Sequence, residues 1–150
     1  MKPLIVLLLS FTITLFVIKI IKNEYDFFLS ARIAMSIMLV FTGIGHFAFT
    51  KGMSMMIPNF IPFKESFVYL TGVFEIFMAM GLLIPRFKYI AAWMLIIFLL
   101  LMLPANIYAS INHVNYQKGT FDGQGLSYLW FRIPLQIFFI IWVYMCSIRM

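Results

Sequence analysis

The sequence predicts an all-α, membrane-embedded helical bundle. Two observations carry this. Of its 150 residues, 64% are hydrophobic and 11% charged, against about 45–50% and roughly 25% in an ordinary soluble domain. The apolar residues also fall into five long segments separated by short polar connections. A water-soluble domain this small cannot hide so much apolar surface, and disorder needs the opposite balance. The length suits one domain.

A helix needs about 20 residues to cross a bilayer, with about 17 as the lower end. The first candidate is 3–21. Its start holds only Lys2, and no small-x-small cleavage site follows its Ile18-Lys19-Ile20-Ile21-Lys22 end. An uncleaved helix is therefore expected in place of a signal peptide. The other spans are 30–50, 67–84, 89–108 and 126–148. Backbone groups in hydrocarbon must be satisfied internally, so each is read as a helix.

The connections differ. Residues 22–29 form a short polar loop, and 85–88 (Pro-Arg-Phe-Lys) a tight turn. Residues 51–66 place Pro58 and Pro62 among Met53, Met55, Met56, Phe60 and Phe63. That stretch is too short to span and too apolar for a solvent loop, so an interfacial or re-entrant segment is expected. Residues 109–125 are the most polar and end in glycines.

Net charge is +6, but the Lys and Arg residues sit singly or in loose pairs at span ends. That arrangement speaks for membrane orientation and against a nucleic-acid partner. Lys19, Lys22, Arg32, Arg86, Lys88 and Arg149 fall on one side, and Lys2, Lys51, Lys64 and Lys118 on the other. The richer side is expected to be cytoplasmic, with the N-terminus outside and the C-terminus inside. The single cysteine, Cys146, excludes an intramolecular dithiol pair. No nucleotide loop, zinc motif or catalytic triad is present. Gly43-Ile44-Gly45 lies inside an apolar helix, where it cannot cradle a phosphate.

An ionisable residue inside a bilayer costs about 2.5–3.5 kcal/mol on insertion scales. Glu75, Arg132 and His46 are the candidates. Glu75 lies about 12 Å along the third span from its outer end. Arg132 and Gln136 lie at a similar depth in the fifth, on one face with Tyr128. His46, Asn106 and Pro104 fall in the same half. Glu75 and Arg132, opposite in sign and alike in depth, are expected to pair, with Gln136 and Asn106 as hydrogen-bond partners. Pro104 and Pro134 free the carbonyls of Leu100 and Trp130, and irregular backbone in a membrane is tolerated where it lines a cavity. Three readings of this cluster stand: a structural lock, a ligand or redox site, and a proton or ion path. No second His, Cys or carboxylate sits near His46 at ligand spacing, so no metal site is expected. Tyr128 reads as an interfacial anchor. Gly43, Gly45, Gly72 and Ala79 permit close helix approach.

Six motifs follow in order: Gly45-His46-Phe47, Met56-Ile57-Pro58, Thr71-Gly72-Val73-Phe74-Glu75-Ile76, Gly81-Leu82-Leu83-Ile84-Pro85, Pro104-Ala105-Asn106-Ile107-Tyr108 and Arg132-Ile133-Pro134-Leu135-Gln136. In these the chain resembles the DoxX-like family of small bacterial membrane proteins over about residues 30–148. The resemblance implies a four-helix membrane domain over 30–150, with 1–29 as an added N-terminal transmembrane helix and loop. It implies the inner membrane of a bacterium. It also carries over His46, Pro58, Glu75, Pro104, Asn106, Arg132 and Gln136 as motif positions. The family is named for a subunit associated with thiosulfate:quinone oxidoreductase. Its wider superfamily is similar to eukaryotic membrane chaperones that help receptors assemble.

Two functions are therefore expected. One is a redox-associated subunit that binds a quinone or similar small ligand at His46, Glu75, Asn106, Arg132 and Gln136. It would have no intrinsic cofactor, because no haem or iron–sulfur ligand set is visible, and a membrane or periplasmic partner protein would supply electrons. The other is a non-enzymatic scaffold or assembly chaperone in which the Glu–Arg network is structural. Homo-oligomers fit either.

Overall fold

The computed structural model describes residues 2–149. Its elements in chain order are α1 (Lys2–Lys22), α2 (Phe27–Ala48), α3 (Thr50–Ser54), α4 (Lys64–Leu83), α5 (Lys88–Ile111) and α6 (Leu126–Val143). The last runs on into a π-helical turn, Tyr144–Ile148.

The helix ends follow local chemistry. The Asp26 side chain accepts from the Leu29 amide at 2.9 Å, an N-cap that starts α2 three residues before the expected span. Pro85 cannot continue α4, and the chain turns through residues 84–87 before α5 begins. The expected interfacial segment is α3 followed by turns up to Phe63, which adopts a left-handed backbone (φ 54). It lies across one end of the bundle, with Thr50, Gly52 and Ile57 buried. This end, which also carries loop 112–125, is the cap end. The other, with loops 23–26 and 84–87 and the π turn, is the basal end.

Among the described residues, α1, α2, α4, α5 and the α6–π segment are long and apolar enough to cross a membrane. Only 11% of the α1 window and 33–39% of the others are buried. The remaining apolar faces point outward, which fits lipid and not water.

α2 packs most extensively on α4 and α1, and α5 joins α4 to α6. Small residues set the α2–α4 crossing. A Cβ on Gly43 would fall 2.9 Å from Ile76 Cγ1, and one on Gly72 would fall 2.7 Å from His46 Cβ. Glycine lets the backbones approach to this distance. Ser36 ties the pair by donating to the Ala79 carbonyl at 2.9 Å. The core runs through the basal half: Met35, Leu39, Leu82, Leu95 and Val143 are fully or almost fully buried. There the Trp142 indole donates to the Ala31 carbonyl at 3.1 Å. α2 touches the π turn but barely touches α6 itself. The two helices thus close together at the basal end and separate toward the cap.

Candidate functional site

Where α2 and α6 separate, α2, α4, α5 and α6 line a partly open cavity of about 820 Å³. The five residues singled out from the sequence all line it: His46 from α2, Glu75 from α4, Asn106 from α5, and Arg132 and Gln136 from α6. Thr42, Thr71 and Ser110 add polar groups, while most other lining residues are apolar.

The Gly43–Gly72 crossing sets His46 beside the first half of α4. Its Nδ1 lies 3.2 Å from the Val68 carbonyl and 3.0 Å from the Thr71 hydroxyl. Thr71 itself donates to the Val68 carbonyl at 2.8 Å. Both neighbours of Nδ1 therefore act as acceptors, which assigns the proton to Nδ1. The other ring nitrogen, Nε2, is left facing Glu75, 3.7 Å from Oε2. Glu75 is 8% exposed, and its Oε2 has no hydrogen-bond partner. Burying such an atom unsatisfied is costly. A group held on the cavity wall in this state is suited to meeting a donor that comes from outside the chain.

The expected Glu75–Arg132 pair does not form a contact. Among the described residues the one contact within 4.0 Å between a basic and an acidic side chain is His46–Glu75, an ion pair only when the imidazole is protonated. Depth along each helix places Glu75 and Arg132 at one level. Contact also requires that α4 and α6 pack together, and they face each other across the cavity with no substantial interface. Arg132 stays half-buried on the wall.

Asn106 and Gln136 pair with one another instead of with the charges. Asn106 Nδ2 donates to Gln136 Oε1 at 3.4 Å. Gln136 Nε2 donates to the Leu99 carbonyl. That carbonyl lies five residues before Pro104, next to the Leu100 carbonyl that the proline leaves without its helical donor. Tyr128, expected as an interfacial anchor, is half-buried and lines the cavity.

The cap closes over this site. A Cβ on Gly52 would fall 1.7 Å from the Tyr116 carbonyl oxygen, so α3 and loop 112–125 meet backbone to backbone. The Phe49 and Tyr116 rings pack edge to face, 6.1 Å apart. The loop is pinned by an antiparallel bridge between Asn115 and Thr120 and by the Gly123 amide donating to the His113 carbonyl at 2.7 Å. Gly125 (φ +71) lies where a Cβ would strike the His113 ring at 2.4 Å.

Sequence reasoning missed Thr71 and the Val68 carbonyl as the holders of His46. Thr71 lies four residues before Glu75, one turn along the same helix face, and that spacing was the available signal. Among the described residues no three His, Cys, Asp or Glu side chains gather as a metal-holding group.

A family model described as a domain of unknown function (DUF8561) matches residues 35–147. The match takes in α4, α5, α6 and the part of α2 from Met35 onward, and leaves out α1. No curated protein and no solved structure matches the chain.

Proposed function

We propose that this chain, which belongs to the DUF8561 family, is an integral membrane protein that holds a small ligand with a polar head group, a quinone or a molecule like it, in the cavity between α2, α4, α5 and α6. One observation carries the reading: Glu75 Oε2 is buried on the cavity wall without a hydrogen-bond partner. The volume of about 820 Å³ lies within the range of roughly 300–1,000 Å³ typical of small-molecule sites. The lining has the usual make-up of such sites, apolar walls with a few convergent polar groups.

A quinone ring presents carbonyl oxygens that accept hydrogen bonds. Arg132 supplies guanidinium donors, and the Asn106 and Gln136 amides lie on neighbouring walls. With Nδ1–H held by Val68 and Thr71, a proton shared by His46 and Glu75 sits at Nε2 or at Oε2. Either position hands it to an oxygen bound in the cavity. When bound, a quinone takes up two electrons and two protons, and a redox partner protein in or beside the membrane supplies the electrons. The resemblance of the six motifs to those of the DoxX-like family supports this redox association. It also supports placement in a bacterial inner membrane, and the Lys and Arg distribution favours the cap end outside.

A second reading, a scaffold or assembly chaperone, draws on the His46–Val68–Thr71 bonds, which fasten α2 to α4 with or without a ligand. Native mass spectrometry of protein purified from its own membranes in mild detergent separates the two. The ligand reading expects a bound small molecule in wild type that Glu75→Gln loses while remaining folded. A protein partner with no small molecule, unchanged in the variant, would favour the scaffold.

A further inference from the structure

The cavity has a neighbour. Between α1 and α6 lies an apolar crevice of about 340 Å³, walled by Leu4 and Leu8 of α1 and by Trp130, Pro134, Leu135 and Phe138 of α6. No polar side chain lines it. Leu135 lies on the walls of both the crevice and the cavity. It is buried, at 6% exposed, so it forms the partition between them. Pro134 removes the amide that would bind the Trp130 carbonyl. The partition therefore sits where the helix is least held by its own hydrogen bonds.

The crevice exists because α2 and α6 part toward the cap and α1 stands across the gap. Lys2 and Pro3, at the start of α1, reach the cavity wall. α1 is the least buried of the long helices. Its firm contacts lie deeper, where Leu7 is fully buried and the Phe11 ring meets Trp142 edge to face at 5.2 Å. The cap, by contrast, is held together by backbone-to-backbone contact at Gly52 and Tyr116. The apolar side is the loosely packed one.

We infer that the ligand is amphipathic: its head meets His46, Glu75 and Arg132 in the cavity, and a single apolar tail leaves past Leu135 through the α1–α6 crevice into lipid. This rests on the ligand-binding reading above and specifies the chemical class of its ligand. The head supplies the donor that Glu75 lacks. The tail fills a largely apolar space that only the Leu135 side chain separates from the head's site. Entry is sideways from the bilayer.

Two probes test this: decylubiquinone and its tail-less ring, 2,3-dimethoxy-5-methyl-1,4-benzoquinone. Each is titrated by native mass spectrometry against wild type, Leu8→Trp, Leu135→Phe and Glu75→Gln in one detergent. Comparing variants removes the tail's own preference for detergent. In wild type the tailed probe should bind about tenfold tighter or more, because its methylenes gain apolar burial. Leu8→Trp should remove most of that gain and change binding of the tail-less ring by less than about twofold, and Leu135→Phe should remove the tail's gain as well. Leu8 is 45% exposed, so its variant keeps a folded core even if Leu135→Phe does not. Glu75→Gln should weaken both probes alike. Equal affinity of wild type for the two probes, or a tail gain that survives Leu8→Trp, overturns the tail path and leaves the head-group reading standing. Failure of both probes to bind wild type overturns the two together.

Discussion

His46 and Glu75 face each other across the α2–α4 crossing, Nε2 to Oε2 at 3.7 Å, and Glu75 Oε2 has no hydrogen-bond partner. The ring is fixed from behind by Val68 and Thr71, so its free nitrogen has one direction to point. A pair built only to hold helices together would leave no buried oxygen unsatisfied.

Glu75→Leu should therefore stabilise the empty protein, by about 1–3 kcal/mol, since it removes a buried oxygen that lacks a hydrogen-bond partner. The same variant should retain no ligand. Thermal unfolding in detergent reads the first effect and native mass spectrometry the second. A drop in stability would mean that the carboxylate braces the bundle.

Gly72→Ala should destabilise by about 1–3 kcal/mol, the usual cost of forcing extra volume into a packed contact. Its new methyl would lie 2.7 Å from His46 Cβ. Ligand binding should fall with stability, because the clash displaces the imidazole. An alanine variant that melts like wild type would show that the crossing has slack.

Gly52→Ala should release the cap and spare the bundle. The clash is with the Tyr116 backbone, which has no side-chain rotamer by which to yield. Amide hydrogen exchange should accelerate across residues 112–125 and stay slow in α2 and α4. Exchange confined to its wild-type pattern would show that the cap tolerates the methyl.

Asp122, fully exposed on loop 112–125, should make the order of that loop depend on acid. The Thr120 hydroxyl donates to its carboxylate, and Lys118 and Asn115 also favour the ionised form, so its pKa lies below the ordinary value. A carboxyl lowered in the folded state contributes fully above its unfolded pKa of about 3.9, and the contribution is lost as pH falls through the lowered value. Loop exchange, corrected for intrinsic rate, should be flat from neutral pH to about 5 and loosen below about 4. Asp122→Asn should show no such acid step.

Hydropathy and charge were enough to find the five long helices, because each must bury or lipidate a full apolar face over a fixed length. The starts of α2 and α4 came earlier than expected. Asp26 caps from outside the apolar run, and Lys64 and Glu65 are helical although polar. Depth was also legible: counting residues from each span end puts His46, Glu75, Asn106, Arg132 and Gln136 in one half of the bundle, and the structure places all five on one cavity.

What depth does not give is rotation and neighbourhood. The choice of Arg132 as the partner of Glu75 failed for that reason, as did the grouping of Asn106 and Gln136 with the charges. Which helices touch depends on where small residues allow close approach, and the Gly43–Gly72 contact delivers His46, not Arg132, to Glu75. The cap was equally hidden. Gly52 and Tyr116 are far apart in sequence, and no periodicity links them.

The basal clasp, where Trp142 binds the Ala31 carbonyl, makes α6 a lever with its pivot at one end. From Trp142 to Leu126 is about 24 Å along the axis at 1.5 Å per residue. A tilt of about five degrees at the pivot carries the far end by roughly 2 Å, more than the radius of a carbon atom, and leaves the pivot bond unbroken. The width available at Tyr128 and Arg132 is thus governed by an angle set about 15–21 Å away along the helix. Small changes around Trp142 should be felt most where no atom near them has moved far.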